Sequence, residues 1–440
     1  MKLTRLLTLP LALSAAFAAP AQAESLLELY EAARAHDAGW QSAKAQYDAN
    51  VARAEQAKAA LLPTAGLAAG VTRNRVDNVP ATPDRAYTTQ NASISASQPL
   101  YRPANLATFR QGKHQAQVAE YQLTQASQDL IVRVSQAYFD VLAAQDTLAF
   151  VRAQKTAVAE QLASAKRNFE VGTSTITDSR EAQARYDLVL AQEISAENDL
   201  RVKKLALDTL VGKADSKPNP LPVPLNVPAP QPASPEAWVQ QAEEASPAIL
   251  QAKSGVEIAQ LETDKARAGH KPTLDLVASA GVQHNIGGSS TGLSHSTPHN
   301  QSVGLSFNLP LFAGFATQNR VRETLSLEEK AKADLEAARR NVAQAVRTAY
   351  FGVVSGQGQV RALEAAEASS QSALDANRLG YQVGVRINID VLNAQSQLFQ
   401  TKRDLAQARY NVLLGHLKLR QANGTLQPED LARLNTLLAK

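Results

Sequence analysis

The side chains best suited to form specific links lie beside two related Val-Gly turns, at Gly172 and Gly384. Arg386 could form a forked ion pair with a carboxylate such as that of Asp178, and Tyr381 could donate a hydrogen bond. This chemistry makes and breaks non-covalent contacts only. No Ser/His/Asp order, phosphate-cradling glycine loop or pair of catalytic carboxylates stands out in the chain. The residue pattern therefore predicts neither an enzyme nor a resident cofactor.

The same residues also have a purely structural interpretation. Thr175 and Asp178 have the spacing of a capping box at a helix start, and Asn388 could cap the matching helix after the second turn. Gly172 and Gly384 suit left-handed helix ends. Capping and linking are compatible roles, and the sequence leaves both open.

Both turns belong to a repeat that covers most of the chain. The Gln-Ala-Tyr-Phe motif that contains Tyr138 returns as Thr-Ala-Tyr-Phe around Tyr350, and Gly172 returns as Gly384, in both cases 212 positions later. A register held over such a span indicates that the two halves fold on the same plan.

Each half is predicted to contain a helix, two strands, a long helix, a turn and a shorter helix. Proline ends the first helix of each half, and the strands alternate between apolar and small or polar residues. The clearest alternation is that of Val303, Leu305 and Phe307, which is typical of a strand with lipid on one side and water on the other. The predicted helices include residues 25–62, 104–170, 175–210 and 236–269, the predicted strands are 65–76, 87–100, 274–286 and 303–311, and the predicted loops are 78–84 and 287–300.

The start of the chain predicts export. Residues 1–23 combine basic residues, an apolar run and a small-x-small site at Ala21-Gln22-Ala23, which together are typical of a secretory signal peptide. The mature chain is then expected to begin at Glu24. The remaining divisions are a first repeat at 24–213, a proline-rich connector at 214–235, a second repeat at 236–424 and a C-terminal tail at 425–440. The connector is interpreted as wrapped on the surface, because each half has only two strands and is not expected to be stable alone.

Composition excludes several classes of protein. The chain has no cysteine, so it contains no disulfide, no thiolate metal site and no lipid attached to cysteine. Without the leader residues Lys2 and Arg5 the formal net charge falls from +4 to +2. Because this small excess is spread along the helices, nucleic-acid binding is not predicted.

The long helix of each half carries a heptad pattern, which predicts coiled-coil packing. Position a is filled by Val134, Val141, Leu148, Lys155, Leu162 and Phe169 in the first half and by Val346, Val353, Val360, Glu367, Leu374 and Tyr381 in the second. Lys155 and Glu367 interrupt the two series at the same place. A helix of this length would extend on the order of 100 Å at about 1.5 Å per residue, longer than an ordinary globular core.

The four strands predict an oligomer. Beyond the leader, no segment has an apolar run long enough for a transmembrane helix, so a membrane crossing would require a closed barrel. Four strands leave two open edges, and the smallest membrane barrels have about eight strands. Two or more chains would therefore complete one barrel in a cyclic assembly of undetermined order. A fibrous coiled coil would explain the helices but not the strands.

The two-fold repeat and four motifs, at residues 171–178, 383–392, 408–411 and 423–440, together resemble the TolC family of outer-membrane efflux and type I secretion channels. The resemblance covers essentially the whole mature chain. It implies a mainly α fold with a small membrane β-barrel, in which three chains contribute twelve strands. The long helices would form a coiled-coil tunnel through the periplasm, and the connector would lie in an equatorial belt.

The resemblance also implies roles for residues at the tip of the tunnel. In the family, links between neighbouring helices hold this tip shut, and the matching gate positions here are Thr177, Asp178, Tyr381 and Arg386. Rings of carboxylates narrow the tip at positions that match Asp390 and Asn393. Since the second of these positions lacks a carboxylate here, we expect the constriction to attract cations less strongly than two carboxylate rings would.

The function implied by the resemblance is that of a passive exit duct in the outer membrane of a Gram-negative bacterium. Its partners would be two further copies of the chain, a periplasmic adaptor, an inner-membrane transporter of the ABC or RND type, and outer-membrane lipid. No metal is expected, and His284, His295 and His299 are interpreted as part of a solvated loop. The alternative is a periplasm-spanning structural coiled coil or adhesin, which would not conduct ions.

Overall fold

The computed structural model describes residues 24–77, 85–221, 228–288 and 294–435. The predicted signal peptide at 1–23 and the predicted loop at 78–84 lie outside the described residues. The same holds for residues 222–227 of the connector, 289–293 of the second loop and 436–440 of the tail.

The described part of the chain is mainly helical and contains one small antiparallel sheet, which confirms the predicted fold class. The helices are α1 (Leu26–His36), α2 (Ala38–Ala59), α3 (Pro103–Glu170), α4 (Ile176–Val211), α5 (Pro235–Ala245), α6 (Pro247–Arg267), α7 (Ala316–Gln382), α8 (Asn388–Ala422) and α9 (Pro428–Asn435). The strands are β1 (Thr64–Val76), β2 (Arg85–Tyr101), β3 (Thr273–Ile286) and β4 (His299–Asn308). In this part of the chain, no helix is both long enough and apolar enough to span a bilayer.

The long helices α3 and α7 contain 68 and 67 residues, which corresponds to about 100 Å each. Their heptad residues are largely buried within one chain, as Val134, Val141 and Val346 show with no exposed surface. The two residues that interrupt the heptad are paired within their own hairpins. Lys155 of α3 contacts Glu193 of α4, and Glu367 of α7 lies 3.9 Å from Lys402 of α8.

Two predicted helices are interrupted. The prediction of one helix over residues 25–62 is wrong, because the chain bends at Asp37 between α1 and α2. The Asp37 carboxylate accepts a hydrogen bond from Trp40 N at 2.7 Å and two from Arg133 at 2.9 and 3.0 Å, so it caps α2 and ties it to α3. The predicted helix over 236–269 is likewise divided into α5 and α6 at Ser246, where Pro247 begins the second helix.

The sheet has the order β1-β2-β3-β4 with antiparallel pairing throughout. Its register pairs Leu67 with Ile94, Ile94 with Ala280, and Leu276 with Leu305. Directly paired residues share a face of the sheet, so the predicted apolar series on β2 and β4 lie on the same face. The other face carries small and polar residues, including Ser279 and Ser302, whose hydroxyl oxygens lie 2.8 Å apart.

The boundaries of β4 differ from the prediction. The strand begins at His299, inside the predicted loop, and it ends at Asn308. Leu309 and Leu311 were expected to continue the alternation, but they lie beyond the last paired residue. Pro310 stands between them, and proline cannot donate a ladder hydrogen bond.

The helices pack as neighbours in the order α7-α8-α3-α4 in the half of the molecule away from the sheet. The largest hydrophobic cluster joins α1, α3, α8 and α9 through Leu29, Tyr138, Leu413 and Leu431. This arrangement leaves α4 and α7 at the two outer edges of one chain. It also brings the α3–α4 and α7–α8 turns to the same end.

Candidate gate at the helical tip

Two left-handed glycines reverse the chain between the long and the short helix of each hairpin. Gly172 has φ +78° and Gly384 has φ +82°, a conformation that glycine adopts without steric cost. The residues before them, Val171 and Val383, have nearly identical backbone angles. The predicted helix reversals therefore lie at equivalent points of the two repeats.

The first turn satisfies its own polar groups. Thr175 Oγ1 accepts from Asp178 N at 3.2 Å, and the Asp178 carboxylate accepts in return from Thr175 N at 3.1 Å. This is the predicted capping box. The hydroxyls of Thr175 and Ser174 also donate to Asp178 Oδ2, at 2.8 and 2.6 Å. Partial burial alone would raise the pKa of Asp178, but the hydrogen bonds from Ser174 and Thr175 outweigh it and hold the pKa below its usual value.

The second turn lacks such a box. Ile387 occupies the N-cap position of α8 and offers no side-chain acceptor, and Asp390 stands where Asp178 stands in the first repeat. Arg386 fills the place of Ser174, and its Nη1 lies 3.8 Å from Asp390 Oδ2. The arginine stem passes over Gly380, where an added Cβ would be 2.7 Å from Arg386 Cγ. Gly380 therefore leaves room for the arginine.

The expectation that Asn388 caps α8 is wrong. Asn388 is the first residue of the helix and has no exposed surface. Its side chain instead contacts Gln161 of α3 and donates to the backbone oxygen of Asp178 at 3.3 Å. Because these partners belong to the other hairpin, Asn388 links the two hairpins at their tips.

Within the described residues of one chain, the side chains of the predicted gate residues contact other residues and not one another. Arg386 pairs with Asp390 and not with Asp178. Thr177 is exposed in the first turn of α4, and Tyr381, at the end of α7, accepts a hydrogen bond from Asn168 Nδ2 at 3.4 Å. The links expected between the gate residues remain predictions.

Asn393, the uncharged member of the predicted constriction, is held within the chain. Arg185 of α4 donates from Nη2 to Asn393 Oδ1 at 2.8 Å. Sequence reasoning missed Arg185, Asn168 and Gln161 as tip residues. A signal was available for Gln161, because it precedes the a-position Leu162 and so lies at position g, which flanks a coiled-coil seam.

Apolar contacts support these polar links. One cluster joins α3 and α4 through Val158, Ala165, Ala182 and Val189, and it is completed by Leu392 of α8, which is fully buried. A second cluster joins α7 and α8 through Leu374, Val391 and Leu398. The two hairpins therefore contact each other at the tip mainly through the first turn of α8.

The motif at residues 408–411 lies on α8, farther from the tip. The Tyr410 ring packs 5.8 Å from that of Phe139, and its hydroxyl donates to Asp146 Oδ2 at 2.6 Å. Burial raises the pKa of Asp146 more than the hydrogen bond from Tyr410 and the charge of Arg409 lower it. The motif thus fixes α8 against α3.

None of the histidine, aspartate and glutamate groups in the described ranges is arranged to hold a metal ion. Of the three histidines that were predicted to lie in a loop, His284 belongs to β3 and His299 begins β4, and the His284 Nδ1 lies 2.9 Å from the hydroxyl of Thr297.

Comparison with known proteins identifies the architecture. The family model described as "Outer membrane efflux protein" matches residues 29–213 and 238–425, which include both hairpins and both pairs of strands. The chain belongs to the outer membrane efflux protein family. The two matched segments correspond to the two halves of the repeat.

Relatives in this family match the chain over nearly its whole length. Outer membrane protein TolC of Vibrio cholerae is 36% identical over 430 residues, with 97% of each chain covered. Alkaline protease secretion protein AprF of Pseudomonas aeruginosa is 32% identical over 416 residues, covering 92% of this chain and 85% of AprF. Among solved structures, the outer membrane protein VceC of Vibrio cholerae superposes with a TM-score of 0.78 at 20% identity, over 91% of this chain and 96% of that chain. The last likeness shows the shared fold of the efflux protein family.

Proposed function

We propose that this member of the outer membrane efflux family is the exit duct of a tripartite efflux or type I secretion system. The observation that carries the proposal is the combination of two helices about 100 Å long, each folded back into a hairpin, with a sheet that has one apolar and one polar face. The sheet fits an outer membrane, and the hairpins fit a passage through the periplasm. The names of the relatives TolC and AprF support export as the activity.

A trimer would complete the sheet and the helical wall. In one chain β1 and β4 are unpaired edges, and lipid does not tolerate open edges. Three chains would give twelve strands, enough to close a barrel. The same closure would place α4 of one chain beside α7 of the next, because these helices lie at opposite ends of the helical order. The proline-rich connector would lie on the outside of the wall, at the belt.

The tip would then close through links between chains as well as within them. Arg386 lies at the end of the α7–α8 turn and Asp178 at the start of α4, so ring closure would bring one chain's arginine towards the next chain's carboxylate. Thr177 and Tyr381 would line the same boundary. Asp390 and Asn393 on α8 would form the constriction, in which Arg386 offsets part of the Asp390 charge.

The duct would be passive and would depend on partners for energy. It holds no catalytic constellation in its sequence, and its tip offers only reversible contacts. An inner-membrane transporter of the ABC or RND type would supply the energy, and a periplasmic adaptor would join the two at the helical tip. Such a partner would open the tip only through a higher affinity for the open form.

Single-channel conductance in planar bilayers tests the proposal. We expect the purified wild-type protein to conduct weakly and Arg386→Ala to conduct more, because a link at the tip is lost. Asp178→Ala should also conduct more than the matched control Thr175→Ala, which breaks the capping box but keeps the carboxylate. Equal effects of these two variants would reduce Asp178 to a helix cap. A folded oligomer that never conducts would instead favour a structural coiled coil.

A further inference from the structure

The predicted first residue of the mature chain lies in a site that is already built for it. Glu24 forms a parallel bridge with Pro218 of the connector. Its N–H donates to Lys217 O at 2.7 Å, and its carbonyl accepts from Asn219 N at 3.1 Å. Tyr138, fully buried on α3, donates a hydrogen bond to Asn219 O at 2.9 Å. The bridge therefore fastens the start of the chain and the start of the connector to the same helix.

Two buried oxygens at this bridge lack hydrogen-bond partners. Glu24 Oε1 accepts from Lys213 Nζ at 2.7 Å, but Glu24 Oε2 is buried without a donor. Ser216, which precedes Lys217, is 2% exposed and its Oγ has no partner either. A buried polar atom without a partner costs about 1–3 kcal/mol, so two at one bridge indicate that a donor belongs there.

The equivalent position of the second repeat has no carboxylate. The helices α1 and α5 begin 209 positions apart, so Ala233 takes the place of Glu24, and Tyr350 donates to the Ala233 carbonyl as Tyr138 does to that of Glu24. The chain continues on both sides of this alanine. The Glu24 carboxylate therefore belongs to the copy of the site where the mature chain is expected to begin.

We propose that this site binds the chain's own α-ammonium group, released when the leader is removed. Hydrolysis of the Ala23–Glu24 amide adds one water, leaves a carboxylate on Ala23 and an amine on Glu24, and the amine then takes up a proton. The single N–H donor of the amide becomes three donors. One remains on Lys217 O, and the other two serve Glu24 Oε2 and Ser216 Oγ. Leader removal thereby completes the bond between the N-terminus and the connector, a conclusion that rests on the export included in the proposed function.

The reactivity of the α-amine tests this site without any measurement of transport. The purified mature protein is treated with an amine-acylating reagent near neutral pH, and acetylation of the N-terminal peptide is followed by mass spectrometry. The reference is a variant with one serine inserted between Ala23 and Glu24, whose amine lies one residue outside the site. We expect the wild-type amine to be acylated about tenfold more slowly than the amine of the insertion variant. The reason is that one charge-assisted hydrogen bond must break before the wild-type amine can react.

Point variants separate this site from a general effect of folding. Glu24→Ala and Ser216→Ala should each accelerate acylation, and Ser216→Ala should leave the fold intact because it removes a single side-chain oxygen. Glu31→Gln, at an exposed position of α1, is the matched control and should react like wild type. Equal rates for wild type and the insertion variant would overturn the proposal, and so would a mature N-terminus other than Glu24. Neither result would change the conductance expected of the duct.

Discussion

Arg185 of α4 donates a hydrogen bond to Asn393 of α8 across the two hairpins, with 2.8 Å between Nη2 and Oδ1. An asparagine accepts this bond without neutralising the arginine. The position that resemblance assigned to a carboxylate ring therefore brings a positive charge to the tip instead of a negative one. Together with the Arg386–Asp390 pair, this contact makes the tip less anionic than two rings of carboxylates would be.

Loss of the Arg185–Asn393 contact should loosen the tip with little effect on stability. Arg185 is half-buried and Asn393 is exposed, so Arg185→Ala should cost less than about 1 kcal/mol of the free energy of unfolding. Single-channel conductance should nevertheless increase, because a link between the hairpins is lost. Arg180→Ala is the matched control, since it removes an exposed arginine from the same end of α4. If both variants conduct alike, charge and not the link controls the tip.

The two turn glycines should be equally intolerant of a side chain. An added Cβ at Gly172 or Gly384 meets no atom within 4 Å, so alanine would cost only the left-handed backbone strain, about 1–2 kcal/mol. Gly358 also has open space around its Cβ position but lies within α7. Gly358→Ala should therefore stabilise by roughly 0.5–1 kcal/mol. Denaturant unfolding of the three variants checks these opposite signs, and a stabilising Gly172→Ala would contradict the assigned turn geometry.

The capping carboxylate should give the tip a defined dependence on pH. Because the folded-state pKa of Asp178 is lowered, its contribution is complete above the unfolded value of about 3.9 and is lost as the pH falls through the folded value. Thermal unfolding of wild type and Asp178→Asn should therefore differ at pH 7 and converge below pH of about 4. A difference that persists at low pH would show that the carboxylate charge does not act through the cap.

Asp146 should show the opposite dependence. Its pKa is raised by burial, so the carboxylate destabilises the fold at pH 7, and this effect fades as the pH falls through the folded value towards about 3.9. Asp146→Asn, which can still accept from Tyr410, should be more stable than wild type at pH 7 and lose that advantage near pH of about 4. Asp199→Asn, at an exposed position of α4, is the control for the loss of a carboxylate. Lower stability of Asp146→Asn at pH 7 would mean that the charge itself is needed.

Much of this fold could be predicted from residue patterns that act locally. The heptads of α3 and α7, the alternation in β4 and the glycine turns each depend on neighbours in the sequence. The capping box at Thr175 and Asp178 was predictable for the same reason. The breaks at Asp37 and Ser246 were missed, although an aspartate N-cap and a Ser-Pro pair are known starts of a helix. Helix-favouring residues on both sides of each break predicted one continuous helix, so these two signals were overlooked.

The contacts of the tip were harder to predict because they join residues that are far apart in the chain. Asparagine is a residue type that often caps helices, but the partners of Asn388 are Gln161 and the Asp178 carbonyl, which are more than 200 positions away. Arg386 could pair with either of two repeat-related aspartates, and in the described part of one chain it pairs with Asp390. The pairing of Arg386 with Asp390 depends on their four-residue spacing and on the space that Gly380 leaves for the arginine side chain.

The exchange of Ser174 for Arg386 between the repeats has a consequence for symmetry. In the first hairpin the Ser174 hydroxyl binds Asp178, which caps the start of α4. In the second hairpin the Arg386 guanidinium lies beside Asp390 at the start of α8, which has no side-chain cap. In the proposed trimer, six hairpins of similar shape would then alternate between two chemical kinds. The tip would have three-fold symmetry in its charges and nearly six-fold symmetry in its backbone. A binding protein with six identical contact elements would meet two different environments in turn.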